Sequence, residues 1–154
     1  MAGALVAYLH YVAMMAIAVI LVVEHMLCVP GLSGSRIRLL ARVDLFYMSA
    51  AILALGSGVA RVVWFGKGAM FYLHNPVFYI KLALFVAVGL MSIPPTLQYL
   101  RWLRGIEPGV AQVVADYEVL RARRYILAEL ILFALIPLMA TFVARGIGIQ
   151  PSAQ

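Results

Sequence analysis

Charged side chains are scarce in this sequence. Asp, Glu, Lys and Arg together make up 12% of the residues, about half of the roughly 25% that is usual in soluble domains. Hydrophobic residues account for 66%. There are too few polar groups to cover a water-facing surface. The composition therefore predicts a protein that has much of its surface in contact with the lipid bilayer.

Cysteine and acidic residues are also few. A single cysteine, Cys28, excludes an intrachain disulfide and any cysteine-based metal motif. The chain has 6 acidic and 12 basic residues, a net charge of +6. The basic residues lie in short segments between apolar runs and not on one polar face, so we expect no nucleic acid partner.

Four apolar runs are each close to the roughly 20 residues that a helix needs to cross a bilayer. Unpaired backbone groups are not tolerated in lipid, so these runs must be helices. We predict an all-α, polytopic membrane protein in which residues 1–154 form a single domain, a bundle of four transmembrane helices. The helices are expected at about 4–29, 45–65, 77–97 and 125–144. Ala50, Ala54 and Gly58 predict close helix packing, and Pro94-Pro95 is expected to close or bend the third helix.

The arginines indicate the orientation. They are concentrated in or beside the first and third predicted loops: Arg36, Arg38 and Arg42 in the first, and Arg101, Arg104, Arg121, Arg123 and Arg124 at the third. Positive charge marks cytoplasmic loops, so both termini are predicted to be non-cytoplasmic, in a bacterial inner membrane. Residues 111–124 fit either an amphipathic helix on the membrane surface or a solvated loop.

Ionisable residues within the predicted helices are functional candidates, because burying them in a membrane is costly. Depth divides them into two groups. The outer group is His10, Arg61 and Lys81, and the inner group is Glu24, His25, Asp44 and Glu129.

The outer group has two cations without a carboxylate nearby. Lys81 also lies near the positive end of its helix dipole. An anion is therefore expected beside Arg61 and Lys81: a lipid phosphate, an external ligand or the propionates of haem. The alternative is that both side chains extend to the interface. His10 is either a hydrogen-bonded core residue or an axial haem ligand, and His74 either belongs to a turn or supplies a second ligand.

The inner group has two interpretations. The simpler one, which we favour, is ion pairing with Arg42, Arg123 and Arg124 near the membrane boundary. The other is a carboxylate–histidine metal site or a proton relay.

The sequence resembles a family of uncharacterised bacterial inner-membrane proteins, a domain of unknown function. The resemblance lies in Tyr8-Leu9-His10, Gly66-Lys67-Gly68, Tyr72-Leu73-His74-Asn75-Pro76, Phe78, Lys81-Leu82-Ala83-Leu84-Phe85, Ser92-Ile93-Pro94-Pro95-Thr96, Ile136-Pro137-Leu138 and Ala144-Arg145-Gly146. More distantly, it is similar to HemJ-type protoporphyrinogen oxidases and to CopD-type membrane domains. The HemJ resemblance implies that His10 is a haem b ligand and that Lys81 contacts the haem or a porphyrin carboxylate.

These observations favour a protein that binds haem b or a related porphyrin in a redox or tetrapyrrole-related role, with His10, Arg61, Lys81 and His74 as candidate cofactor-binding residues. Whether it is an oxidoreductase is left open. One alternative is a small component of ion, proton or metal transport, which would require a homo-oligomer. Another is a non-catalytic membrane assembly partner.

Overall fold

The computed structural model describes residues 1–66, 69–106 and 114–147, and every regular element in these ranges is helical. The elements are α1 (Ala2–Leu27), α2 (Gly34–Ala60), a π-helical turn (Arg61–Phe65), the short α3 (Ala69–Leu73), α4 (Pro76–Arg104) and α5 (Asp116–Ala144). The π-helical turn continues α2 directly. The four long helices are long and apolar enough to cross a membrane, which confirms the predicted fold class.

Local sequence sets several helix ends. The Ser33 hydroxyl accepts a hydrogen bond from the Arg36 backbone N–H at 3.4 Å and caps α2. The Asn75 side chain accepts one from the Val77 N–H at 2.9 Å, and Pro76 follows it as the first residue of α4. Both are favourable helix starts. Gly31, with a φ of +76°, provides the left-handed residue of the turn between α1 and α2.

At the end of the bundle that carries the arginines, the predicted helices are shorter than the observed ones. There α2 begins at residue 34 and not 45, and α5 begins at residue 116 and not 125. Residues 116–124 are therefore the first turns of α5 and not a separate surface helix, whereas 107–113 lie outside the described residues. Pro94 and Pro95 do not close α4, which continues to Arg104.

The bundle is built from two helix pairs. α1 packs along α2, and α4 packs along α5, whereas the α2–α4 and α1–α5 contacts are less extensive. Ala50 and Ala54 are buried, and Gly58 lies against the ring of His10, so the small residues of α2 do allow α1 to approach closely.

The start of α1, the end of α2, the start of α4 and the end of α5 lie together. We name this the outer end, after the predicted orientation, and the opposite end the inner end.

Candidate functional site

The imidazole of His10 is buried near the outer end and is held by α2. Its Nδ1 lies 3.0 Å from the carbonyl oxygen of Ala54 and 3.1 Å from the hydroxyl of Ser57. That hydroxyl donates to the Leu53 carbonyl at 2.6 Å, so it is free to accept. Since a carbonyl can only accept, Nδ1 is assigned a proton, and in the neutral ring Nε2 then carries the lone pair. Within the described residues Nε2 has no hydrogen-bond partner.

Gly58 gives this ring its space. A Cβ atom at position 58 would lie 3.2 Å from the His10 Cε1 atom and 3.6 Å from Nδ1. Gly58 is one helical turn after Ala54, which accepts the hydrogen bond, so the same face of α2 both orients the ring and accommodates it.

A cavity of about 540 Å³ adjoins His10 at the outer end. All four long helices, the π-helical turn and α3 contribute to its wall. Among the residues that the structure describes, the charged members of this wall are Arg61 and Lys81, and none is acidic. The predicted outer group of His10, Arg61 and Lys81 therefore lines one cavity.

The two cations have no carboxylate partner among the described residues. Arg61 lies in the π-helical turn, with its guanidinium carbon 5.1 Å from the centroid of the Tyr11 ring, a cation–π contact. Lys81 lies in the second turn of α4 and is close enough to Arg61 for their charges to interact. Both side chains are half-buried, so they are not simply extended into solvent.

Aromatic rings form the outermost part of the cavity wall. Tyr72 packs against Phe71 at a centroid distance of 5.3 Å and against Phe78 at 5.5 Å, and all three line the cavity. Trp64 and Tyr79, by contrast, are exposed, as is typical of the aromatic residues at a membrane interface.

His74 is separate from this cavity. Its side chain is exposed, and its Nδ1 lies 2.8 Å from the carbonyl oxygen of Met70, one turn earlier. It does not line the space beside His10, so the structure does not bring the two histidines together.

The inner group is buried more deeply. Glu24, Asp44 and Glu129 come from α1, α2 and α5 and are only 3%, 7% and 1% exposed. The Thr96 hydroxyl donates to Asp44 at 2.8 Å. Glu24 and Glu129 each have one carboxyl oxygen that is buried without a hydrogen-bond partner.

The expected ion pairs with arginine are wrong. Arg123 donates from Nε to Nε2 of His25 at 3.3 Å, and Arg42 and Arg124 are exposed. The carboxyl groups face the bundle interior, whereas these arginines lie at its periphery. Among the residues that the structure describes, no group of three or more His, Cys, Asp or Glu side chains could hold a metal ion, so the metal-site interpretation of the inner group gains no support.

An apolar layer separates the two groups along α1. The buried residues between His10 and Glu24 are Ala13, Ile17 and Leu21. Fourteen residues of helix correspond to about 21 Å. The outer cavity and the inner carboxyl groups are therefore two distinct polar regions.

Some partners were not foreseen from the sequence. The Ala54 carbonyl and the Ser57 hydroxyl orient His10, whereas the pattern of small residues in α2 predicts only close packing. Glu118 accepts hydrogen bonds from the side chains of Gln98 and Trp102, at 2.8 and 2.9 Å. The signal for Ser57 was available, because it lies on the Ala54–Gly58 side of α2.

Comparison with known proteins gives a family but no activity. No curated protein and no solved structure matches the chain, so the similarity to HemJ-type and CopD-type proteins remains a prediction. A family model does match residues 2–148, which is almost the whole chain. The chain belongs to the family described as "Predicted membrane protein (DUF2214)".

Proposed function

We propose that this membrane protein binds haem b, or a related porphyrin with acidic side chains, in the outer cavity, and that it works in redox or tetrapyrrole chemistry. The observation that carries the proposal is one cavity lined by two cations and by an imidazole that the Ala54 carbonyl orients, with no acidic side chain among the described residues of its wall. In the predicted orientation this site lies in the non-cytoplasmic half of a bacterial inner membrane.

The residues present fit such a group. A histidine that ligates a metal usually donates its other ring N–H to a carbonyl or carboxylate, which fixes its tautomer and orientation. His10 makes this kind of contact with Ala54. Arg61 and Lys81 supply the positive charge that carboxylates need in a region of low dielectric constant. The cavity volume of about 540 Å³ lies within the range of roughly 300–1,000 Å³ that is typical of small-molecule sites.

Each residue then has a defined task. His10 would ligate the iron through Nε2, while Arg61 and Lys81 would hold the propionates, and the aromatic wall would limit access of water. Haem bound there would supply one-electron chemistry at its iron. His74 has no task in this arrangement, because it lies outside the cavity.

The alternative of ion or proton passage is supported less well. The unpaired carboxyl oxygens of Glu24 and Glu129 are compatible with it. However, the apolar residues of α1 between His10 and Glu24 provide no polar side chain that would continue a path. We therefore assign the main function to the outer cavity.

An absorbance spectrum tests the proposal. The protein is produced in haem-replete cells and purified in mild detergent. We expect a Soret band that is lost or shifted in His10→Ala. Arg61→Ala and Lys81→Ala should each weaken haem affinity by roughly tenfold or more, because each removes a charge-assisted contact.

Two matched variants control this test. His74→Ala removes an exposed histidine, and Arg145→Ala removes an exposed cation near the outer end that does not line the cavity. Both should leave the spectrum and the affinity unchanged. No Soret band in the unmodified protein, or a band unaffected by His10→Ala, would contradict the proposal.

A further inference from the structure

A second, smaller space adjoins the outer cavity between α2 and α4. It has a volume of about 240 Å³, and the two spaces share His10, Gly58 and Lys81 in their walls. His10 and Lys81 are its only polar lining residues among those that the structure describes. We name it the α2–α4 crevice. Its remaining wall is apolar and includes Leu55, Val59, Val63, Leu82 and Phe85.

The same crevice reaches the outside of the bundle. Leu55 and Val59 on α2 are 51% and 49% exposed, and Leu82 on α4 is 44% exposed. Exposed apolar side chains within a membrane-spanning segment face lipid. One continuous apolar space therefore has lipid at one side and His10 at the other.

We propose that the ligand of the outer cavity enters from the bilayer through the α2–α4 crevice. The class of ligand follows from this route: it is an amphipathic acid that partitions into lipid. Its apolar body would pass Val59 and Leu82, and its carboxylates would bind Arg61 and Lys81. This inference rests on the proposed function, since it concerns the same site, but it adds the direction of entry and the requirement that the ligand be lipid-soluble.

The charges and the packing favour this route. Lys81 lines both spaces, so a carboxylate leaving the crevice meets a cation at the boundary. α2 and α4 also contact each other less extensively than α1 and α2 do, so they can separate at lower cost.

At the outer end, the backbone of Gly66 lies close to Tyr72. A Cβ atom on Gly66 would collide with the Arg61 carbonyl oxygen and would lie 2.6 Å from the Tyr72 hydroxyl. Beside it, the Phe71 ring packs edge-on against Tyr72 and the Phe78 ring packs against Tyr72 at a tilt. A bulky ligand that approached from water past Tyr72 would have to displace these contacts, whereas at the mouth of the crevice Leu55, Val59 and Leu82 are exposed apolar side chains that face lipid.

Loading kinetics test the inference. Protein from haem-limited cells is placed in phosphatidylcholine vesicles and mixed with vesicles of the same lipid that carry ferric protohaem, and growth of the Soret band is followed. Val59→Trp puts an indole into the crevice. We expect loading to slow by about tenfold or more, because the indole must be displaced at every entry. The final spectrum should stay the same, because Val59 does not line the outer cavity.

Ile52→Trp is the matched control. Ile52 is a lipid-facing residue of α2, 68% exposed, that lines neither space, so its variant should load at the normal rate. Leu82→Trp obstructs the crevice from the opposite wall and replaces Val59→Trp if that variant does not reach the final spectrum.

The outcomes separate the two claims. A normal final band with an unchanged rate in both crevice variants overturns lateral entry and leaves the proposed function standing. Equal slowing in Ile52→Trp also overturns lateral entry. No band in the unmodified protein overturns the proposed function and this inference together.

Discussion

Two glycines of α2 provide a direct test of how His10 is held. Gly56 and Gly58 are two residues apart on the same helix. A Cβ at position 56 would meet nothing within 4 Å, whereas a Cβ at position 58 would lie 3.2 Å from the His10 ring. Alanine at the two positions should therefore have opposite effects on stability.

The expected magnitudes follow from general values. Replacing a helical glycine by alanine stabilises a helix by up to about 1 kcal/mol, and Gly56→Ala should show this gain. Gly58→Ala has the same gain, but the ring must move by a few tenths of an ångström, and overpacking costs about 1–3 kcal/mol. The weakened hydrogen bond from Nδ1 to Ala54 adds to that cost. The free energies of unfolding of the two variants should thus differ by about 1–3 kcal/mol, with Gly58→Ala the less stable.

Thermal unfolding in detergent measures the difference. For a chain of this size it corresponds to roughly 2–4 °C in melting temperature for each kcal/mol. Both variants are measured without haem, so that the result reports packing alone. Equal shifts in the same direction would show that the imidazole does not rest against Gly58, and the assignment of a free Nε2 would lose its basis.

Three further predictions concern other parts of the bundle. Glu129→Leu should raise the free energy of unfolding by about 1–3 kcal/mol, because it removes a buried oxygen without a partner. In contrast, Glu118→Leu should lower it, because that carboxylate accepts two hydrogen bonds from α4; the reverse order in thermal unfolding would contradict the described contacts. Asn75→Ala should cost about 1 kcal/mol, because it removes the cap at the start of α4, and an unchanged melting temperature would argue against the cap. Burial raises the pKa of the Cys28 thiol to about 11, so maleimide should label it slowly at neutral pH in the folded protein and rapidly in denaturant. Equally fast labelling in both states would refute this.

The four helices could be predicted because lipid imposes a simple requirement on length and polarity. Their ends could not. Hydropathy indicates where a helix leaves the hydrocarbon layer, but helical hydrogen bonding continues into polar sequence, as at Arg36 and Arg38 in α2. The same reasoning explains why α5 begins before its predicted first residue, since its first turn contains the charged residues Asp116 and Glu118.

The candidate site was predictable only in part. Missing counter-ions pointed to Arg61 and Lys81, because charge and depth can be read from a sequence. The partner of His10 could not be identified in this way. It is the backbone carbonyl of Ala54, and because every residue has a backbone carbonyl, the sequence does not indicate which one accepts the hydrogen bond. The inner arginines were assigned the wrong partners because helix rotation, which sends Arg123 to His25, depends on packing against the neighbouring helices.

The π-helical turn Arg61–Phe65 has a consequence for chain length. A turn of this kind contains about one residue more than an α-helical turn, and such turns are often found at functional sites. Deleting Val63 would let the helix return to regular α geometry and would rotate the chain beyond it by about 100°. Gly66 would then move away from Tyr72 and from the Arg61 carbonyl oxygen, both of which lie close to it. Family members that are one residue shorter here should therefore present a differently shaped outer cavity.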